Sequence, residues 1–564
     1  MEEIKKQLKQ TIKKLYNIDF EPDFTPSPEN IDADYSTNAP LKLAKELHKS
    51  PMAISEELLE AFVSVCNHTA TLAITAPGFL NFNLSNDYLF KSINSLNKDF
   101  EKEITSNAFI NKTVICEFSD PNPFKVLHVG HLYTSIVGDS ISRLFEYAGA
   151  KVIRANFGGD VGLHVAKTMY ILKQKDIREL AIDDIAKCYV EGTAAYDEDE
   201  KAHAEITKLN KEIYKINSEN IHDTELSDLY WRGRELSYSY FKDFYAKIGV
   251  KFDKFYPEST VAALGLEKVQ EQLKNGVYEL SDGAVIFRGD KFGLHTRVFI
   301  NQEGVPTYET KDVGLIFTKW NDYHFDKSVV ITGNEQLEYM KVVLKSIEQY
   351  APDLVERTSH LTHGLVKLPG NVKMSSRKGN FLKAVDVLDM VKDALKVEYN
   401  SEDPKVSLAA TKYAFLKYKM GGNIIFDPKE SVKMTGNSGP YLLYSAVRAK
   451  KILQKSSGDD FEDKTRASIH DGREQEFILE SSERNLIKKI LEYKSTLAES
   501  VAEMAPHKVV NYLYELAQDF SRFYENCPVV GSAEEDNRLK LVAVYLQIIT
   551  HGLNILGIEI PEEM

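Results

Sequence analysis

The chain has 564 residues, 43% hydrophobic and 27% charged, with a formal net charge of −14. That length holds about four domains of ordinary size, and the composition excludes a disordered, collagen-like or low-complexity protein. The acidic balance argues against non-specific coating of nucleic acid but leaves room for a local basic groove, because charges act across a screening length of about 8–10 Å.

In chain order, residues 1–16 read as a charged amphipathic helix without the apolar centre of a signal peptide. A polar, Pro- and Asp-rich stretch follows, then a helix carrying Leu41, Leu43, Ala44 and Leu47. Pro77-Gly78 predicts a turn into a strand in which Leu80, Phe82 and Leu84 alternate with Phe79, Asn81 and Asn83. This suggests a small α+β module closing near residue 108. The segment 113–118 reads as a strand. After a loop with two prolines, Leu132, Ile136, Val137, Ile141, Leu144, Phe145 and Ala148 recur at helical spacing, with Gly149 as the stop. A second strand at 151–157 completes a βαβ unit of a parallel sheet.

Residues 175–254 are dense in Lys, Glu and Asp and predict an inserted, solvated helical subdomain. Short apolar runs at 285–315 and 328–365 predict a return to the same sheet. Three long amphipathic segments, 476–504, 507–527 and 538–556, then predict a helical bundle. The most apolar late stretch, 541–560, is interrupted by Gln547, Thr550, His551, Gly552 and Asn554, so it reads as a core helix and not a membrane span. The cysteines, Cys66, Cys116, Cys188 and Cys527, lie too far apart for a zinc knuckle or a redox pair. No structural metal is expected, and the setting is read as reducing and cytoplasmic. The expected architecture is α/β and multidomain: an N-terminal α+β domain (1–108), a Rossmann-type parallel-sheet domain (109–385) carrying the insertion, and a C-terminal all-α bundle (386–564).

Two motifs carry chemistry. His128-Val129-Gly130-His131 opens the helix of the βαβ unit. A helix start presents free N–H groups and partial positive charge, which suits phosphate. Two imidazoles beside it can donate to phosphate oxygens, and Gly130 would let a nucleotide ring approach the backbone. The second motif, Lys373-Met374-Ser375-Ser376-Arg377-Lys378-Gly379-Asn380, offers three cations and two hydroxyls to a triphosphate. It is a weak signal alone and a stronger one beside the histidines.

The pair resembles the HIGH and KMSKS signatures of class I aminoacyl-tRNA synthetases, and EFSDPNPFKVLHVGH (117–131) resembles the arginyl-tRNA synthetases in particular. GDVG (159–162), PTYETKDVGL (306–315), GNEQ (333–336) and MSSRKGN (374–380) follow in that family's order. Segments 32–45 and 76–82 are similar to its N-terminal tRNA-contacting domain, and 436–449 with the C-terminal helices to its anticodon-binding domain. The resemblance implies a ligase that joins L-arginine to its tRNA through an arginyl adenylate. ATP with Mg²⁺, arginine and tRNA(Arg) would be its ligands, a monomer its expected state.

The resemblance puts Glu117, Asn122, Tyr308, Asp312 and Gln336 around arginine, with Asp312 on the guanidinium and Tyr308 packed beside it. It gives the phosphates to His128, Gly130, His131, Met374, Ser375 and Ser376, and the pyrophosphate to Lys373, Arg377 and Lys378. Ser376 stands where the signature has its second lysine, and Lys125 is the substitute expected. Asp120 stands where the family more often has Ser, and Tyr133 where it commonly has Arg. Tyr441, Tyr444, Arg448, Tyr512, Arg522 and Phe523 are candidates for contact with tRNA, although aromatics at helical spacing usually belong to a core. A small-substrate nucleotidyltransferase could share the histidine motif but would not need the flanking domains. An RNA-binding relative without catalysis would draw its support from Ser376.

Overall fold

A computed structural model describes residues 2–28, 30–66, 69–175, 181–370, 382–457 and 479–564. The chain forms two compact units. One holds residues 106–444, 497–511 and 552–564, and the other holds 1–105, 445–496 and 512–551.

The first unit is built on a parallel sheet of β1 (Thr113–Glu117), β2 (Lys151–Gly158), β3 (Lys254–Pro257), β4 (Lys327–Gly333) and β5 (Thr358–His363), in the order β5-β4-β1-β2-β3. Helix α1 (Val129–Tyr147) connects β1 to β2. The central strands bury Val114, Ile115 and Cys116 in β1 and Val329, Val330 and Ile331 in β4, as expected where both faces of a sheet are covered. The chain moves outward from β1 to β3 and returns to β4 on the other side. That reversal opens a crevice at the C-terminal ends of β1 and β4.

Helix α1 is buried nearly all round, and small residues make this possible. The Ser135 hydroxyl donates to the His131 carbonyl at 2.7 Å and Ser142 to Gly138 at 2.7 Å, so their polar groups enter the core satisfied. At Gly138 a Cβ would lie 2.1 Å from Cγ of Phe118, so only glycine admits that ring. Gly149, at φ +88°, stops the helix as its sequence position predicts.

The insertion comprises α2 (Ile182–Glu198), α3 (Glu200–Ser218) and α4 (Glu225–Lys247). It is more than a solvated appendage. Ile185, Cys188, Ile206, Leu209, Ile213 and Tyr230 build a core of their own with Val165 and Met169, and Phe124 from the loop after β1 is part of it. Helices α5 (Glu258–Lys274) and α6 (Tyr308–Tyr323) then pack backbone to backbone, because a Cβ at Gly265 would sit 2.0 Å from the Thr310 carbonyl and one at Gly314 2.1 Å from that of Val261. The apolar runs at 285–300 do not rejoin the parallel sheet. Ala284–Phe287 is instead the middle strand of a separate antiparallel sheet, with Glu279–Ser281 on one side and Arg297–Ile300 on the other, and the return to the parallel sheet comes only with β4.

In the second unit, helix Glu2–Tyr16 buries Ile4, Leu8 and Ile12 on one face and packs on helix Pro51–Cys66, which in turn covers an antiparallel sheet of Thr25–Pro26, Tyr35–Thr37, Phe79–Leu84 and Ala70–Thr75. Arg484, from helix Ser481–Leu491, reaches this sheet. Its guanidinium pairs with Asp34 and donates to Asn86 at 2.8 Å and to the Leu84 carbonyl at 2.6 Å. The amphipathic segment 476–504 breaks at Glu492, giving helices Ser481–Leu491 and Tyr493–Glu503. The late apolar stretch lies in helix Glu535–Ile555 and buries Val542, Tyr545, Ile548 and Ile549. Among the described residues no helix is long and apolar enough to cross a membrane.

Candidate active site

The loop from β1 to α1 leads into the crevice. Ser119, Asp120 and Phe124 all have left-handed backbone, with φ of 72°, 50° and 65°. Such residues persist only where their surroundings fix them, and here α4 supplies the fixing. The Ser119 and Tyr245 hydroxyls lie 2.8 Å apart, and the Phe124 N–H donates to Ser237 at 2.9 Å. A Cβ at Gly233 would come within 2.4 Å of the Phe124 ring, so that glycine makes room for the anchor.

His128 caps α1, and the two histidines of the motif lock each other. Gly130 N–H donates to Nδ1 of His128 and the His128 N–H donates to Nδ1 of His131, each at 3.1 Å, with the rings stacked 3.8 Å apart. Burial, aided by the charge of Lys125, pushes His128 down to about 4. Burial and His128 push His131 well below the usual imidazole range. Both rings are therefore neutral near pH 7. With each Nδ1 accepting a backbone proton, the ring proton sits on Nε2, where it can be donated to a phosphate oxygen. Gly130 serves this lock directly. A Cβ there would lie 2.8 Å from Cε1 and 2.9 Å from Nδ1 of His128, so the glycine makes room for the imidazole first.

Lys373, Met374, Ser375, Ser376, Arg377 and Lys378 lie outside the described residues. The segment just after them is tied to α1. Val129 N–H donates to the Leu382 carbonyl and Ala384 N–H to that of Leu127, both at 2.9 Å. Lys125 stands apart from the cavity walls, its ammonium 4.4 Å over the Tyr189 ring of α2.

A cavity of about 720 Å³ opens between β1, β4 and the start of α1, a volume that suits a small-molecule ligand. Its lining brings together His128, Gly130, His131, Glu117, Asn122, Tyr308, Asp312 and Gln336. Glu117 is buried against Lys319 of α6, at 2.6 Å. Asp312 accepts the hydroxyl of Tyr339. Tyr308 lines the cavity beside it, 56% exposed, with the Lys311 ammonium 5.0 Å from its ring centroid. Asn122 accepts the Gly159 N–H at 2.8 Å. Burial pushes Asp312 up to about 7, opposed by the Tyr339 bond and reinforced by the charges of Glu117 and Glu258.

Motif reading missed Lys319 and Tyr339, and also Glu258 and Lys311, which pair at 2.6 Å beside the cavity. Burial opposes the Lys311 charge, but Glu258 beside it raises the ammonium overall. No local pattern marks these residues; the nearest signal was the Lys in PTYETKDVGL.

Of the more distant candidates, Tyr512 and Phe523 are buried and leave no ring face for a base. Tyr441 is half-buried and Tyr444 is exposed on helix Gly439–Ser457. The Arg448 guanidinium lies 5.1 Å over Tyr524, and Arg522 pairs with Asp519 at 2.7 Å.

A Rossmann-type sheet whose crevice ends in a histidine-capped helix has the form of a nucleotide-binding domain, and the comparisons narrow it. The family described as tRNA synthetases class I (R), catalytic domain, matches residues 94–426. The arginyl tRNA synthetase N terminal domain matches 2–84 and the DALR anticodon binding domain 442–564. The chain belongs to the class I (R) tRNA synthetase family. Among curated relatives, the arginine–tRNA ligase of Treponema denticola is 27% identical, covering 96% of this chain and 94% of its own. That of Flavobacterium psychrophilum is 29% identical, covering 86% and 85%. The fold is shared with the arginyl-tRNA synthetase of Thermus thermophilus, at a TM-score of 0.80 and 22% identity over 100% of both chains. The enzyme from Plasmodium falciparum gives 0.77 and 20% over 100% of this chain and 99% of its own.

Proposed function

We propose that the chain ligates L-arginine to its cognate tRNA with ATP, through an arginyl adenylate, for protein synthesis. The observation that carries this reading is a carboxylate-lined cavity abutting a helix start capped by two neutral histidines. Arginine brings two cationic ends, which need acceptors and negative charge, and its α-carboxylate must meet a phosphate. In the first step a carboxylate oxygen attacks the α-phosphorus of ATP and the bond to pyrophosphate breaks. His128 and His131 donate through Nε2 to the phosphate oxygens, aided by the N-terminus of α1. The chain's main contribution is alignment and charge stabilisation. In the second step the terminal ribose hydroxyl of tRNA attacks the adenylate carbonyl and AMP leaves.

Glu117, Asn122, Tyr308, Asp312 and Gln336 hold the arginine in this reading. Lys373, Arg377 and Lys378, with Lys125, attend the pyrophosphate, while Met374, Ser375 and Ser376 attend ATP; these assignments rest on the sequence. Mg²⁺ belongs to the ATP substrate, carried on its phosphates. Residues 1–108 and 386–564 contact the tRNA, with Tyr441, Tyr444, Arg448 and Arg522 toward the anticodon, and 109–385 perform the chemistry. The enzyme acts as a cytoplasmic monomer in this account, a setting that suits the buried free thiols Cys116, Cys188 and Cys527.

ATP–pyrophosphate exchange with arginine, with and without tRNA, is the test, with lysine and cysteine as controls. Exchange with arginine alone among the amino acids is expected. Its absence under both conditions, from folded protein with a matched tRNA, overturns the reading.

A further inference from the structure

The acidic side chains of the cavity differ in how their charge is met. Glu117 and Glu258 each pair with a buried lysine at 2.6 Å. Glu335 is exposed and solvated. Asp312 is bonded by the Tyr339 hydroxyl, and Asp120 accepts the Phe157 N–H at 2.8 Å. Among the described residues no Lys, Arg or His lies within 4.0 Å of the Asp120 or Asp312 carboxylates. Two carboxylates thus face the cavity without a cation beside them, and the substrate of the proposed function carries two cations.

Placement separates their roles. Asp312 projects from α6, across the crevice. Asp120 belongs to the loop that runs into His128, the end where the α-carboxylate of arginine must meet phosphate. The α-ammonium is attached to the same carbon as that carboxylate and has to lie close by. The backbone has been bent to serve this position: Ser119 and Asp120 are consecutive left-handed residues, clamped by Tyr245 and by the Phe157 N–H. Burial and the neighbouring charge of Glu117 push the Asp120 carboxyl well above its usual range, the state of a carboxylate awaiting a cation.

We infer that Asp120 is the counter-ion for the α-ammonium of arginine, a specificity-determining residue that leaves Asp312 for the guanidinium. The inference rests on the arginine-ligating reading. It moves to Asp120 a contact that the family resemblance shared among Glu117, Asn122 and Gln336, and Glu117 is already met by Lys319.

The test uses arginine and 5-guanidinopentanoate, which keeps the guanidinium and carboxylate but lacks the α-ammonium. Binding of both to the parent protein and to Asp120→Asn and Asp120→Ser is measured by calorimetry, and the KM for arginine in pyrophosphate exchange, with tRNA present, is measured for all three. The parent is expected to hold arginine at least about tenfold more tightly than the analogue. Asp120→Asn keeps the shape and the acceptor for Phe157, and should raise the arginine KM by about 10–100-fold while leaving the analogue within about threefold, in line with loss of a charge-assisted bond. An analogue that binds the parent as well as arginine does overturns the inference even if neither variant folds. So does an unchanged arginine KM, or an equal loss for both ligands. A parent that exchanges with arginine while the variants behave like it sinks the inference alone, whereas a folded parent without arginine-dependent exchange both with and without matched tRNA sinks the proposed function.

Discussion

Lys319 holds Glu117 through an Nζ–Oε2 contact of 2.6 Å, with the two side chains 1% and 3% exposed. The pair fixes the C-terminal end of β1 to α6, the two elements that carry Glu117 and Asp312. Removing one partner strands the other charge out of water. Lys319→Met should therefore cost about 3–5 kcal/mol, and adding Glu117→Gln should restore most of that loss. Thermal unfolding of the two variants and the parent checks the coupling; a double variant as unstable as the single one contradicts it.

With Asp120 replaced by Asn, arginine affinity should depend on pH through Asp312 alone. A cation needs the ionised carboxylate, and the carboxyl titrates at about 7 in the free protein. Below that value a proton must be displaced before arginine binds. The arginine KM should rise toward tenfold per pH unit as the pH falls from 7, and level off above it. His128, at about 4, stays neutral over the same range, so the KM for ATP should stay nearly flat between pH 5.5 and 8. Parallel changes in both KM values would refute the assignment.

The same carboxyl makes a prediction about stability. Its folded-state value of about 7 lies above the ordinary 3.8. The favourable contribution is thus complete below the ordinary value and is lost as pH rises through 7. At pH 8 the ionised group burdens the fold, so Asp312→Asn should raise the melting temperature there, by roughly 1 °C per kcal/mol recovered in a chain of this length, and abolish arginine-dependent exchange. A lower melting temperature at pH 8 would contradict this.

Gly130→Ala separates positioning from folding. The new Cβ would meet only the His128 ring, at 2.8 Å, and that ring can turn away. Stability should change little, but the turned ring forfeits the bond from Gly130 N–H and misplaces its Nε2 donor. A fall of about 10²-fold in adenylate formation is expected; full activity would show that the lock is dispensable.

The histidine motif was legible because its chemistry is local: three residues of spacing at a helix start fix both rings and the dipole. The arginine-facing residues were legible only through resemblance to a family. What holds them in place was not legible at all. Lys319 reaches Glu117 across 202 positions and Tyr339 reaches Asp312 across 27, and no pattern of periodicity encodes such a meeting. Periodicity also misassigned sheet membership at 285–300, because a strand's own residues do not name its neighbour. It ran through the break at Glu492, since two successive helices keep the same apolar rhythm. Tyr512 and Phe523 had the spacing of a helix face, and the packing put that face inside.

Two carboxylates that face one cavity without a cation beside them have a consequence for the bench. The denaturant guanidinium is itself the head group of the proposed amino acid, so dilute guanidinium chloride should act as a ligand before it acts as a denaturant. It would bind the native state, and stabilise it by mass action, at concentrations where urea only weakens it. Unfolding curves in the two denaturants should therefore disagree at their starting points.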